Sequence, residues 1–209
     1  MNTDINQIVS KEIIQRTLDL GIDYSEIALD NLISNEILAE IPIIKTITSF
    51  YNIRNSIINR HNTKKILTFF QEFNSKKIDD SKFNNFKHKF NTDFEYQTQV
   101  CETITLLNER FLQVEKSKIL ANLIIAHIED LLSWEELTEI TSILDIVQPK
   151  AFSLIEELSK SDWWNSNIRR DVREGFLIAN GLGHKEGNLL KISTTGKQLF
   201  IFGIKPIKK

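Results

Sequence analysis

The sequence predicts a mainly α protein, with an antiparallel helical bundle over residues 1–148 and a small C-terminal domain over 149–209 that carries one β-hairpin. Three observations lead there. Of seven glycines, only Gly21 precedes Gly175. Glycine supplies the positive φ of turns and caps, so its absence over 22–174 predicts continuous helices joined by short connections. Charge changes at nearly the same place: residues 149–209 hold 11 Lys/Arg against 6 Asp/Glu, and residues 1–148 hold 15 against 22. Apolar residues recur every three or four positions through most of the first part, which is helical spacing. A boundary near Pro149 follows.

Length and composition exclude several classes. A chain of 209 residues can bury one good core, or a larger and a smaller one. At 41% hydrophobic, 26% charged and net charge −2, it has the balance of an ordinary soluble protein. A single cysteine, Cys101, excludes an internal disulfide framework and fits a reducing cytoplasm. The N-terminal MNTDINQIVSKE lacks a basic n-region and a long apolar run, so no export signal is expected.

In chain order, Asp4 can cap a first helix with Ile5, Ile8, Val9, Ile13 and Leu20 near one face and Gly21 as its stop. A short helix with Ile27, Ala28, Leu29, Leu32 and Ile33 follows. Pro42 suits the first turn of a helix over about 42–59, with Ile43, Ile44, Ile47, Phe50, Tyr51, Ile57 and Ile58 on its apolar side. The apolar run is too short to span a bilayer, which takes about 20 residues. Glu40 and Lys45 together would cost about 5–7 kcal/mol at its centre. No transmembrane segment is expected; an amphipathic helix lying on a membrane surface stays open beside the core-facing reading.

Asn62 or Thr63 is expected to cap the next helix, which holds Ile66, Leu67, Phe69, Phe70 and Phe73. Basic residues run through this region, and Arg54, Arg60, Lys64 and Lys65 form a candidate partner-binding patch. Phe83, Phe86 and Phe90 alternate with later lysines, as in some nucleic-acid grooves. Their three- and four-residue spacing is equally that of a buried helical stripe. Thr92-Asp-Phe-Glu95 and Ser133-Trp-Glu-Glu136 read as capping boxes. The first opens a helix to about residue 114, with Phe94, Val100, Ile104, Leu107 and Phe111 as core; the second precedes Leu137, Ile140, Ile143, Leu144 and Val147.

No catalytic residue, cofactor or metal site is expected. His61, His88, His127 and His184 are scattered, and neither HExxH nor a cysteine cluster is present. GxxxxGK[ST], GxGxxG and GxSxG are absent as well. His61 is expected in a turn and His127 at a core boundary. Cys101 fits a small core residue. The acidic pairs at helix ends suit helix dipoles or water.

The C-terminal part predicts a helix over 149–160, the turn Asp162-Trp-Trp-Asn165, and a helix over 166–179 bearing Arg169, Arg170 and Arg173. A hairpin over 182–193 and a last helix capped by Thr194 complete it. The segment LIANGLGHKEGNLLKISTTGKQLF resembles the end of many bacterial winged-helix domains. That resemblance implies a recognition helix on which Arg169 and Arg173 share a face, with Lys185 in the hairpin. Against DNA, Asp171 and Glu174 interrupt the arginines, whereas a winged helix that contacts protein needs no phosphate ligands. Trp163 and Trp164 fit either a seam between the two domains or an exposed anchor for a partner.

The stretches IPIIKT, NIRNSIINR and KKILTFF, followed by the Thr-x-Gly ending, are similar to a group of uncharacterised bacterial proteins of this length, some encoded near phage-defence or mobile-element genes. The resemblance implies no catalytic residues. It leaves three expectations: a cytoplasmic binding or adaptor protein with a protein partner or a second copy, a winged-helix DNA-binding regulator, and a peripheral membrane protein acting through residues 41–58.

Overall fold

A computed structural model of the protein describes residues 5–18, 42–51, 57–168 and 171–208. These hold ten α-helices and a three-stranded antiparallel sheet near the C-terminus. The expected helix over 27–33, the Asp4 cap, the Gly21 stop, Arg54, Arg169 and Arg170 lie outside the described residues. The chain forms two compact units, one from Met1–Ala121 with Ile128–Asp130 and the other from Asn122–His127 with Leu131–Lys209.

The first unit contains α1 (Ile5–Gln15), α2 (Pro42–Tyr51), α3 (Ile57–Ser75), α4 (Asp80–Thr92) and α5 (Phe94–Arg110), and α6 (Glu115–Ile128) contributes to both units. Helix α1 packs on α5 and α2, and α3 and α4 also pack on α5. The buried faces are those the spacing predicts: Ile8, Val9 and Ile13 on α1, Ile44, Ile47 and Tyr51 on α2, Phe69, Phe70 and Phe73 on α3, Val100 and Ile104 on α5. Phe86 and Phe90 of α4 are buried too, and Phe83 is half-buried at the edge of their stripe.

Polar groups close the helix ends. Glu12 is buried on α1 and accepts from Leu18 N–H (2.7 Å), Asn74 Nδ2 (2.8 Å) and the Thr17 hydroxyl (2.6 Å). Arg16, at a left-handed φ of 50°, donates to the carbonyls of Phe73 (2.9 Å), Asn74 (3.1 Å) and Lys76. A residue just past α1 thereby satisfies carbonyls that the C-terminus of α3 leaves unbonded.

Several expected boundaries move. Helix α3 begins at Ile57, so Asn62 and Thr63 are interior helical residues and His61 sits on the helix instead of in a turn. Ile57 and Ile58, expected in the core, are exposed, as is Phe94. Thr92 ends α4, and its hydroxyl donates to His88 O (2.8 Å). The cap of α5 is Asp93 in extended conformation, accepting from Tyr96 N–H (3.0 Å). An ionised Asp beside the positive end of a helix is a stronger cap than Thr.

The second unit contains α7 (Trp134–Ile146), α8 (Lys150–Leu158), β1 (Asn165–Asn167), α9 (Val172–Ala179), β2 (Gly183–Glu186), β3 (Leu189–Ile192) and α10 (Thr194–Gln198), which runs on into a π-helical turn, Leu199–Ile204. Ser133 and Glu136 make the expected capping box of α7. The sheet order is β1-β3-β2, with β1 and β2 both antiparallel to β3, and α9 lies between β1 and β2 in sequence. This is a winged-helix-like arrangement. Its core combines Leu137, Ile140 and Leu144 with Ile155, Leu158, Leu177, Leu190, Leu199 and Ile204. Gly196 is required by close approach, since a Cβ there would fall 2.3 Å from Leu182 O.

Three expectations change here. Ser166 and Asn167, expected to open a helix, instead form β1 together with Asn165; Asn-Ser-Asn is a weak helix former and pairs with β3. Helix α9 starts only at Val172, where Asp171 caps it by accepting from Arg173 N–H (2.8 Å). The last helix is capped by Ser193, not Thr194, through a bond from Gly196 N–H (3.0 Å).

Candidate interaction surfaces

The late start of α9 redistributes its side chains. Asp171 caps α9, and Arg173 is the one arginine of the expected trio among the described residues. Arg173 turns back along the surface. Its guanidinium bonds Asp171 through Nε (2.7 Å) and Glu157 through Nη1 (2.7 Å) and also reaches the Ser153 hydroxyl (3.2 Å). Those bonds, first to Asp171 and then to Glu157, hold its pKa above the ordinary arginine value. Glu174 and Leu177 are buried. What α9 shows to solvent is Val172, Gly175 and Ala179, flanked by half-buried Phe176. Positions i, i+3, i+4 and i+7 make one continuous stripe. It contains no charged or hydrogen-bonding side chain. A Cβ at Gly175 would meet nothing within 4 Å, so the unit itself does not require glycine there.

Lys185 is exposed on β2 of the hairpin, where Glu186 pairs with Lys191. Trp163 is 79% exposed. Its neighbour Trp164 has a left-handed φ of 52°, unusual for so bulky a residue, and stands edge-on to Phe200 at 5.6 Å. Main-chain bonds fix the turn, from Trp164 N–H to Ser161 O (3.0 Å) and from Ile192 N–H to Trp164 O (3.1 Å). The two tryptophans therefore divide their roles: Trp164 packs within the second unit and Trp163 faces water.

In the first unit one member of the expected basic patch is withdrawn from the surface, and Arg54 lies outside the described residues. Lys65 is 1% exposed. Its ammonium donates to the carbonyls of Glu109 (2.9 Å) and Phe111 (2.7 Å), closing the C-terminus of α5. Burial outweighs attraction to Glu109 and brings the Lys65 pKa down to about 8. His61 Nε2 lies 3.1 Å from Leu112 O, and burial lowers the pKa of its imidazole. Tyr51 OH donates to Glu109 Oε1 (3.0 Å), and burial together with that carboxylate raises the phenol's pKa. Arg60 and Lys64 are half-buried and have partners of their own. Around this closed helix end, Ile57, Ile58 and Leu112 are 68%, 70% and 78% exposed.

Lys65 was legible as an inward residue, since it sits four positions before Phe69 and eight before Phe73 on the same stripe. The α9 face was legible too: Asp171-Val-Arg-Glu174 has capping-box spacing, and a helix started there presents Val172, Gly175, Phe176 and Ala179 together.

Other elements hold less chemistry. Cys101 is buried at the floor of an open groove of about 490 Å³ lined by Asn6, Gln7, Ser10, Lys11, Phe94, Gln97 and Thr98. His127 Nδ1 lies 2.9 Å from Leu132 O, at a core boundary. The later lysines serve aromatic faces or acids, with Lys87 over Phe83, Lys89 over Tyr96 and Lys82 paired with Asp130. Among the described residues there is no cluster of three His, Cys, Asp or Glu side chains fit for a metal, and no helix is long and apolar enough to cross a membrane. No family model, no curated protein and no solved structure matches the chain.

Proposed function

We propose that the protein is a non-enzymatic adaptor or regulator that binds another protein through the outer face of α9. One observation carries this reading: the solvent face of the helix in the recognition position is Val172, Gly175, Phe176 and Ala179, while Arg173 is held by Asp171 and Glu157. Base readout in a major groove needs donors and acceptors on the inserted face, and phosphate contact needs cations. A protein interface core instead favours apolar contact with few charges. Exposed Trp163 belongs to the residue type most often dominant in such interfaces.

Titrating the full chain against a labelled DNA duplex over a range of salt separates the two recognition modes. The expected result is weak, salt-sensitive association at the non-specific level, about 10⁻⁴–10⁻⁶ M at physiological salt, and the same for Val172→Asp as for the wild type. Sequence-selective binding that Val172→Asp abolishes would replace this reading with a DNA-binding one.

A further inference from the structure

We propose that the groove between α1 and α5 binds a mononucleotide, with its base against Phe94 and its phosphate at Lys11. This goes beyond the protein-binding role of α9 and does not depend on it.

The two helices pack together within the first unit and leave an open groove of about 490 Å³ along their seam. Sites for small molecules commonly enclose about 300–1,000 Å³. One wall is a single row of α5, with Phe94, Gln97, Thr98 and Cys101 at positions i, i+3, i+4 and i+7. That row is about 10 Å long at a rise of about 1.5 Å per residue. Gln7, Ser10 and Lys11 line the groove from α1.

The fold uses some of the polar groups on these walls and leaves others over. Thr98 Oγ1 donates to Phe94 O (2.9 Å), and Asn6 Oδ1 accepts from the Thr105 hydroxyl (3.2 Å). The side chains of Gln7, Ser10, Lys11 and Gln97 make no hydrogen bond or ion pair among the described residues. Two carboxamides, a hydroxyl and an ammonium therefore line one groove with nothing in the protein to bind. Phe94 stands at the start of the same row and is 80% exposed.

Those groups select the ligand. The lining contains one cation and neither Asp nor Glu, which favours an anion over a cation or a metal ion. An exposed aromatic ring offers a stacking surface to a planar partner. Carboxamides both donate and accept, as the edge of a nucleobase does. A fatty acyl chain leaves all four polar groups unsatisfied, and a neutral sugar leaves Lys11 without a counter-charge. A nucleoside monophosphate engages the ring, the amides and the ammonium together.

The test is calorimetric titration of the full chain with the 5′-monophosphates of adenosine, guanosine, cytidine and uridine. Binding of at least one is expected, weakened by salt. Phe94→Ala should weaken it about tenfold through lost stacking. Lys11→Gln, on the other helix, should weaken it about fivefold and remove most of the salt dependence. Both residues are exposed, so both variants should melt near the wild-type temperature. Cys101, the one cysteine of the chain, supplies a second readout from the groove floor. Its alkylation by iodoacetamide should slow at least threefold with saturating nucleotide. The proposal is overturned if none of the four nucleotides binds at about 1 mM. It is overturned equally by inorganic phosphate or the parent nucleoside binding as tightly as the nucleotide, by binding that both substitutions leave unchanged, or by binding that leaves Cys101 as reactive as before.

Discussion

Lys65 in the first unit and Arg173 in the second are both cations that the sequence offers as ligand contacts, and the fold uses them in opposite ways. Lys65 lies fully inside, its ammonium shared by two carbonyls at the end of α5. Arg173 stays near the surface, held by a carboxylate on its own helix cap and another on α8. One replaces water at a dry helix terminus, the other makes ion pairs that water competes for. A buried hydrogen bond to a charged group and a surface ion pair differ severalfold in what they contribute. Each unit also leaves large apolar side chains exposed: Ile57, Ile58 and Leu112 in the first, Val172 on the stripe of α9 in the second.

That contrast should appear first in stability. Lys65→Met leaves two carbonyls without a donor and is expected to cost about 3 kcal/mol, read from the urea midpoint. A loss below about 1 kcal/mol would put Lys65 in the same category as Arg173.

The pH dependence is next in size. Burial holds the folded pKa of Lys65 at about 8 against 10.5 for the ordinary side chain. Between those values the unfolded chain binds more protons, so stability rises with pH, by about 2 kcal/mol up to pH 10. The neutral amine keeps its N–H donors, which is why the cap survives deprotonation. Tyr51 and Tyr96 work the other way. Their pKa values are raised above 10.0 by burial, with Glu109 adding to the shift at Tyr51 and Asp130 at Tyr96. The folded state therefore holds phenol protons that the unfolded chain releases, and stability falls above pH 10. Equilibrium unfolding at stepped pH should show a rise from pH 8 and a fall above 10; Lys65→Met should lose the rise and keep the fall.

Arg173→Ala is expected to cost less than about 1 kcal/mol. Smallest of all is Val172→Asp, whose effect on the melting temperature should be negligible because the side chain is 67% exposed. A cooperative loss of structure in that variant would mean that the face of α9 belongs to the fold.

Periodicity made the helices and their inward faces legible, because a stripe of Ile and Phe has one good place to go. The Ser133 box and the β2–β3 hairpin were legible from local chemistry alone. What sequence spacing missed were choices between competing local signals. Thr92 and Asp93 both offer a cap, and the charged side chain prevails. Ser166 and Asn167 look extendable into the following helix, yet β3 offers them backbone partners and Asp171 starts the helix later. With the helix started at Asp171, an apolar stripe of α9 lies at the surface. Lys65 was overlooked for a different reason: its register with Phe69 and Phe73 points inward, but it sits in a basic run, and the carbonyls that receive its ammonium lie at the end of α5, the nearer in sequence forty-four residues away.

The most direct test of the α9 surface is photocrosslinking in the native host, with a photoreactive phenylalanine analogue at Val172 and, as a control, at Asn188 in the exposed hairpin turn. The protein-binding account predicts a discrete protein adduct from position 172, absent from position 188 and lost when Ala179 is also changed to Asp. Adducts to DNA from position 172, or no adduct that depends on that position, would contradict it.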